Sequence, residues 1–337
     1  MDFLASRLPI VAAPMAGVST PELGGAVSSV GAFPFLAGGY QTVDRLADDM
    51  ARAKSWDGGF GVNLFAPGAE EPGDDVIAAY ARGLRGEFDR FGIPVPAIRR
   101  GDDDHWCDKL DLLVSDPVPV VSFTFGLPEV GVVKRLKAAG TMTMATVTTT
   151  DEARRAEEVG MDALIVQGPQ AGGHSATWDP ARRIGDSATA DVVRQIRAVT
   201  SRAIIGAGGV AGPEAVTQIL AAGAQAVAVG TILLRCPEAG TSAVHRRALA
   251  DPRFDETTLT RTFTGRPARA LTNGFIRDHR HEEITAYPAV HHLTAPLRAE
   301  AVRRGDADRA HLWAGTGFRA ASDQPAGRIV LALASGL

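Results

Sequence analysis

The stretch Leu164-Ile165-Val166-Gln167-Gly168-Pro169-Gln170-Ala171-Gly172-Gly173-His174 begins as a short apolar β-forming segment and ends on a group that titrates near neutrality. Gly172 and Gly173 remove side-chain bulk and permit positive φ, so backbone can approach a flat ligand closely while His174 faces it. A loop histidine bonded to a neighbour would look the same from this segment alone, and a second glycine cluster tips the reading. Ile204-Ile205-Gly206-Ala207-Gly208-Gly209-Val210 also closes an apolar strand, then runs into a helix from Gly212 to Leu220 with Pro213 near its first turn. A third apolar run, Ala226 to Val229, ends in Gly230-Thr231.

The elements that must position these turns alternate along the chain. Strand-like runs fall at Pro9 to Ala13, Ala32 to Ala37, Phe60 to Leu64, Val118 to Phe123, Thr141 to Val147, Ala163 to Val166, Ala203 to Ile205 and Ala226 to Val229. Helical patterns lie between them, at Thr20 to Ser29, Val43 to Ala53, Glu129 to Ala138, Thr150 to Val159 and Ala190 to Val199, several with Thr, Asp or Pro start signals and glycine stops at Gly140, Gly160 and Gly223. Apolar strands each followed by a helix predict an α/β fold, a parallel (β/α)8 TIM barrel whose strands are buried on both faces. A doubly wound open sheet is the alternative.

We expect the barrel to span 1–234, with an elaborated connection of two helices at 66–113. A mostly helical lid would follow at 235–320, and the C-terminal tail would return to the barrel. Beyond Leu234 the strand rhythm is lost, and Ser242 to Ala250 and Ala295 to Arg304 are the clearer helices. In a barrel the strand ends converge on one face, and the loops after the seventh and eighth strands are suited to phosphate, since free backbone N–H groups and a helix N-terminus favour an anion. Gly208-Gly209 and Gly230-Thr231 occupy those loops. The G-x-G spacing of Gly206 and Gly208 superficially fits a dinucleotide fingerprint, but the third glycine is misplaced and no acidic ribose partner follows the next strand.

The 337 residues, 45% of them hydrophobic, suffice for a large core. A formal net charge of −4, scattered arginines and no aromatic RNA-binding signature argue against nucleic acid as a partner. Met1 to Pro9 lacks a signal-peptide pattern and no apolar run is long enough for a bilayer, so a soluble, cytoplasmic protein without a membrane partner is expected. Only Cys107 and Cys236 are present, which predicts reduced thiols rather than a disulfide framework.

At this point the chain resembles the FMN-dependent nitronate monooxygenase family, formerly called 2-nitropropane dioxygenases. Pro14-Met15-Ala16-Gly17-Val18, Gly61 to Phe65, Val121 to Gly126, Gln167 to His174, Gly206 to Val210 and Val229-Gly230-Thr231 stand in family order, and Tyr287 to Thr294 and Leu312 to Gly315 are like its bacterial members. The resemblance implies FMN as cofactor. It implies that Met15 and Asn63 contact the flavin, that Gln167 hydrogen-bonds its ring system, and that Gly172-Gly173 lets it lie against backbone. Gly208, Gly209, Val229, Gly230 and Thr231 would hold the phosphate, and His174 matches the catalytic histidine. The reaction implied is oxidation of a nitronate or nitroalkane by dioxygen to a carbonyl compound and nitrite, in a monomer or homodimer. Gln170 stands where the family often has Glu, and Ser175-Ala176-Thr177-Trp178 departs from the glycine usual after the histidine, which points to a different substrate side of the pocket. Rival readings are an FMN-dependent NAD(P)H:quinone or enoyl-thioester reductase, and a non-catalytic phosphate-ligand-binding barrel.

Asp278, His279, His281, Glu282, Glu283, His291 and His292 offer metal-ligand types without a defined metal spacing, so a polar lid segment is expected there and no metal. Asp102 to Cys107 reads as a charged helix start, and Trp313 as lid packing or a border of the flavin.

Overall fold

The computed structural model describes residues 4–68 and 72–337; residues 1–3 and 69–71, at the start of the expected barrel and within its long connection, lie outside them. Eight parallel strands close into a barrel: β1 (Ile10–Ala12), β2 (Phe33–Ala37), β3 (Gly61–Phe65), β4 (Val120–Thr124), β5 (Met142–Val147), β6 (Ala163–Gln167) and, after the two-residue β7 (Gly173–His174) that leaves the barrel, β8 (Ala203–Ala207) and β9 (Ala226–Val229). β9 returns to β1 with Val11 opposite Ala228. The TIM barrel expected from the alternating pattern is thus the observed fold, and each predicted strand is present within two residues of its expected bounds.

Period-two side chains explain why these strands read as continuous apolar runs. Val11, Phe33, Phe35, Val120, Met144, Ile165, Ile205 and Ala228 fill the barrel interior, while their neighbours Ile10, Leu36, Val121, Leu164 and Ile204 pack outward on the helices. Gly61 must be small: a Cβ there would lie 2.2 Å from the Phe35 ring. Helices start where hydroxyls cap them, Thr20 accepting from the Leu23 amide at 3.0 Å and Thr149 from that of Glu152 at 3.1 Å.

Two expectations need correction. The cover beyond residue 234 is not only helical, because β10 (Thr257–Thr260) and β11 (Ala268–Leu271) form an antiparallel pair. β11 also pairs with β7, Ala268 opposite His174 and Arg269 opposite Gly173, making a small three-stranded sheet. Each of these strands is four residues or fewer, too short for an alternation to register. The connection after β3 holds three helices rather than two, Asp74–Gly83, Arg85–Phe91 and Trp106–Ser115.

The first two of those helices pack Ile77, Tyr80, Phe88 and Phe91 into a second hydrophobic core with Phe263, Phe275, Leu293 and Leu297. Helix Ala289–Arg304 starts earlier than expected, because Pro296 is carried within it instead of opening it. Helix Ala326–Leu333 returns to pack on the barrel helix Pro21–Ser29. We propose that the part to residue 234 acts as the barrel and 235–320 as its cover, with the connection's first two helices belonging to the cover's core. Among the described residues no helix is long and apolar enough to cross a membrane.

Candidate active site

His174 is placed by the small sheet and not by the barrel. β7 adds to the edge of β11, the Ser175 amide donates to the Pro267 carbonyl at 2.7 Å, and Ala270 bridges to Trp313 on the same edge. The imidazole therefore stands beside the Trp313 ring, with centroids 5.5 Å apart, and within 5.7 Å of Phe125 and 5.9 Å of Tyr287. Trp313 packs in the cover, as expected, and borders His174. A cavity of about 240 Å³ opens beside the loop, lined by Gln167, Gly173, Thr148 and Arg182 among others, but His174 does not line it. The imidazole belongs to the aromatic recess instead.

Gln167 ties the turn down. Its Nε2 donates to the His174 carbonyl at 3.1 Å and its Oε1 accepts from the Ala176 amide at 2.8 Å, so it fixes the loop that carries the imidazole. The Thr264 hydroxyl donates to the Arg266 carbonyl at 3.3 Å and lies 2.9 Å from His174 Nε2. When its proton is so directed, Thr264 Oγ1 accepts from Nε2–H and Nδ1 is the basic nitrogen. Burial, reinforced by the charges of Arg266 and Arg298, pushes the His174 pKa down to about 3. The imidazole is neutral at neutral pH. The positive charge of the recess therefore comes from Arg266 and Arg298.

The residues after His174, where the sequence departs from the family pattern, are structural. Glu152 accepts from the Trp178 amide at 3.0 Å and from the Thr148 hydroxyl at 2.7 Å, and Trp178 Nε1 donates to the Thr146 carbonyl at 3.1 Å, so the departure staples the loop to β5 and the turn that follows it.

The glycine loops meet as expected of neighbouring strand ends. Gly208 and Gly209 have φ of +119° and +73°, and among the described residues the N–H groups of Gly208, Gly209, Gly230 and Thr231 donate to no other group of the protein. Thr231 Oγ1 accepts from the Gly315 amide at 2.9 Å, which leaves its O–H free to donate. Gly230 keeps the loop close to Met15, since a Cβ would lie 3.2 Å from Met15 Sδ and the methionine would have to give by a few tenths of an ångström. This donor set, with no carboxylate in it, fits a phosphate monoester such as that of FMN. Val229 offers no group of its own: its side chain is buried and its carbonyl accepts from the Ala13 amide, so it positions Gly230.

Asn63 is buried in the middle of β3 with Nδ2 donating to Ser122 Oγ and Thr124 Oγ1, each at 2.9 Å, so its Oδ1 is left without a partner among the described residues and suits a ligand N–H. Gly172 packs so closely that a Cβ would lie 2.5 Å from the Gly315 amide nitrogen. The glycine there serves the approach of the C-terminal segment as much as that of a ligand.

The metal-ligand types in the cover are spent on ion pairs and hydrogen bonds. His279 lies between Glu87 at 3.3 Å and Glu282 at 3.2 Å, Arg309 joins Glu87 to Asp278, and His292 meets Asp102 at 3.0 Å. Among the described residues no group of three His, Cys, Asp or Glu could hold a metal. Asp104 accepts from the Tyr40 amide just before helix Trp106–Ser115 begins, Cys107 is exposed and Cys236 buried, both as free thiols.

Burial also pushes down His245, to about 4, His291, to about 2, and His311. These groups and His174 are folded neutral and unfolded basic, so the stability they contribute is full above pH about 6.5 and is lost as pH falls below it. The cost is about 1.4 kcal/mol per unit per group. His279 has the opposite sign. Burial works against its charge, but hydrogen bonds to Glu87 and Glu282 win and raise its pKa, so its contribution is full below pH about 6.5, is lost as the pH rises through the raised value, and on lowering the pH offsets part of the loss from the four neutral rings. The thermal midpoint should fall by at least about 5 °C from pH 7.5 to pH 5.5. A midpoint constant across that range in a thermal melt would show that these rings are not held neutral.

The profile of the nitronate monooxygenase family matches residues 1–336. A probable nitronate monooxygenase of Staphylococcus aureus strain MSSA476 is 32% identical over 333 residues, covering 98% of this chain and 94% of the relative. Nitroalkane oxidase from Streptomyces ansochromogenes superposes with a TM-score of 0.93 at 43% identity, covering 98% of this chain and 96% of that one. FabK from Thermotoga maritima, at a TM-score of 0.76 and 24% identity over 98% and 93% of the two chains, shares the fold.

Proposed function

Since the chain belongs to the nitronate monooxygenase family and is an oxidoreductase, we propose that it oxidises a nitronate or nitroalkane with dioxygen, giving a carbonyl compound and nitrite, with FMN as cofactor. The observation that carries this reading is the pairing of a neutral, hydrogen-bonded His174 in an aromatic recess with two glycine loops whose free N–H groups suit one phosphate. FMN, when bound, supplies the two-electron chemistry and its reoxidation by dioxygen. Gly208, Gly209, Gly230 and Thr231 would hold its phosphate. Asn63, Met15, Gln167 and the Gly172-Gly173 backbone would border its ring system.

The chain's own part is orientation and proton handling. Gln167 and β11 hold the His174 backbone, Thr264 holds Nε2, and Nδ1 is the nitrogen that can take a carbon-bound proton from a neutral nitroalkane. Phe125, Tyr287 and Trp313 surround the ring and limit its orientation. Gaining a charge between two guanidinium groups is unfavourable, so a preformed nitronate, which requires no proton transfer, should be the faster substrate.

Because the imidazole pKa is displaced to about 3, kcat/KM for a nitronate should show no acid limb near pH 6.5 when assayed from pH 6 to 8.5. A limb at a histidine's ordinary pKa, removed by His174→Asn, would contradict the neutral assignment.

Anaerobic mixing with nitronates, nitroalkanes, NADH and NADPH tests the reaction. Flavin bleaching by nitronate and not by the nicotinamides is expected. Rapid bleaching by NADH or NADPH would replace this reading with a reductase, and a colourless protein that cannot be reconstituted with FMN would leave only a phosphate-ligand-binding barrel. Mass analysis of the released cofactor should give FMN, since no adenosine-binding fingerprint accompanies the glycine loops.

A further inference from the structure

Arg266 and Arg298 are buried, at 2% and 8% exposure, and among the described residues neither makes an ion pair with a carboxylate. The contrast within the same cover is Arg309, which meets both Glu87 and Asp278. Arg266 spends Nη2 on the Thr177 carbonyl, lays its guanidinium 3.9 Å over the Phe125 ring, and leaves Nε without a partner. Arg298 spends Nε on Thr294 Oγ1 at 3.1 Å and Nη2 on the His291 carbonyl at 2.8 Å, and among the described residues its Nη1 has no protein partner. Burial lowers both pKa values only to about 10, so both remain cations at neutral pH.

A desolvated cation persists where an anion or a strong set of acceptors compensates it. The protein supplies too few acceptors here. The ionisable groups with the largest influence on Arg298 are the phenols Tyr40 and Tyr287, which are hydrogen-bonded to each other at 3.0 Å, and burial keeps the Tyr287 phenol neutral. The two guanidinium groups flank the recess from opposite partners, Arg266 through Phe125 and Arg298 through His291, whose ring lies 6.2 Å from Tyr287. Phe125 and Tyr287 in turn touch His174. This is not the phosphate cradle, which lies on the loops after β8 and β9 and contains no arginine.

We propose that the recess beside His174 carries its own subsite for a small planar oxyanion, with Arg298 and Arg266 receiving the O–N–O group of the substrate in its anionic form. Planar guanidinium N–H arrays suit an anion whose charge is spread over coplanar oxygens. That the anion is a nitronate rests on the function proposed above; the subsite does not.

The test uses the protein with its bound cofactor and sodium nitrate as the probe, in calorimetry against sodium chloride at constant ionic strength. Saturable nitrate binding at least tenfold tighter than chloride is expected, competitive with nitronate. Arg298→Gln should weaken nitrate binding and raise the KM for nitronate, each at least tenfold, with a smaller change in kcat, and Arg298→Lys should recover part of the loss. Wild-type protein that binds nitrate no better than chloride would overturn the proposal, as would an Arg298→Gln variant that binds it unchanged. Should that variant fail to fold, the wild-type comparison decides alone. Nitrate binding without nitronate turnover would keep the subsite and remove the proposed function, whereas turnover without nitrate binding would do the reverse.

Discussion

Replacing His174 with Asn should slow flavin reduction by a neutral nitroalkane about 10²–10⁴-fold, the usual contribution of a general base, while leaving the cofactor bound and slowing reaction with a preformed nitronate much less. The backbone of this residue is held independently of its ring, by Gln167 and by pairing with β11, so the substitution removes chemistry without releasing the loop. The asparagine amide matches the near half of the ring and stops short of Nε2, so the bond to Thr264 is lost together with the titrating group. Stopped-flow reduction with both substrates makes the comparison. Equal losses would assign the imidazole to substrate binding, and wild-type rates with both would remove it from the mechanism.

The imidazole and the glycine loops were legible in the sequence because each is a local signal: apolar strand, abrupt glycines, then a titratable or donor-bearing residue. The barrel was legible for a related reason. Strands covered on both faces, such as β6 and β8, cannot alternate, and a run like Ala163-Leu164-Ile165-Val166 has few other places to go.

What the sequence concealed depends on contacts far apart in the chain. Gly173-His174 has no strand propensity and becomes β7 only because β11, almost a hundred residues later, offers an edge. Helices Asp74–Gly83 and Arg85–Phe91 have ordinary amphipathic patterns that say a face is buried but not that it is buried in the cover. Arg266, Arg298 and Thr264 escaped for the plainest reason. A lone arginine or threonine is exposed by default, and Arg298 differs from the exposed Arg303 and Arg304 on its helix only through what packs against it.

Gly209 should be the position where a single added charge most weakens retention of FMN. A side chain there carries two costs that must be separated. Its φ of +73° disfavours any L-residue by about 1–2 kcal/mol, and a Cβ would lie 2.7 Å from Gln170 Oε1, so even alanine forces the neighbouring amide to shift. Aspartate adds to this a carboxylate beside N–H groups that have no acceptor of their own, where it would take the donors intended for the phosphate and repel the phosphate's charge.

Gly209→Ala therefore measures strain alone, and Gly209→Asp measures strain plus competition. The alanine variant should lose FMN affinity by about tenfold, in line with the strain. The aspartate variant should lose at least about a hundredfold, since a further interaction of some 1.4 kcal/mol or more is another factor of ten. Fluorescence titration of the deflavinated protein reads both. If alanine and aspartate weaken binding equally, the phosphate is not held at this loop, and if neither weakens it, the free N–H groups of Gly208, Gly209, Gly230 and Thr231 serve some other ligand.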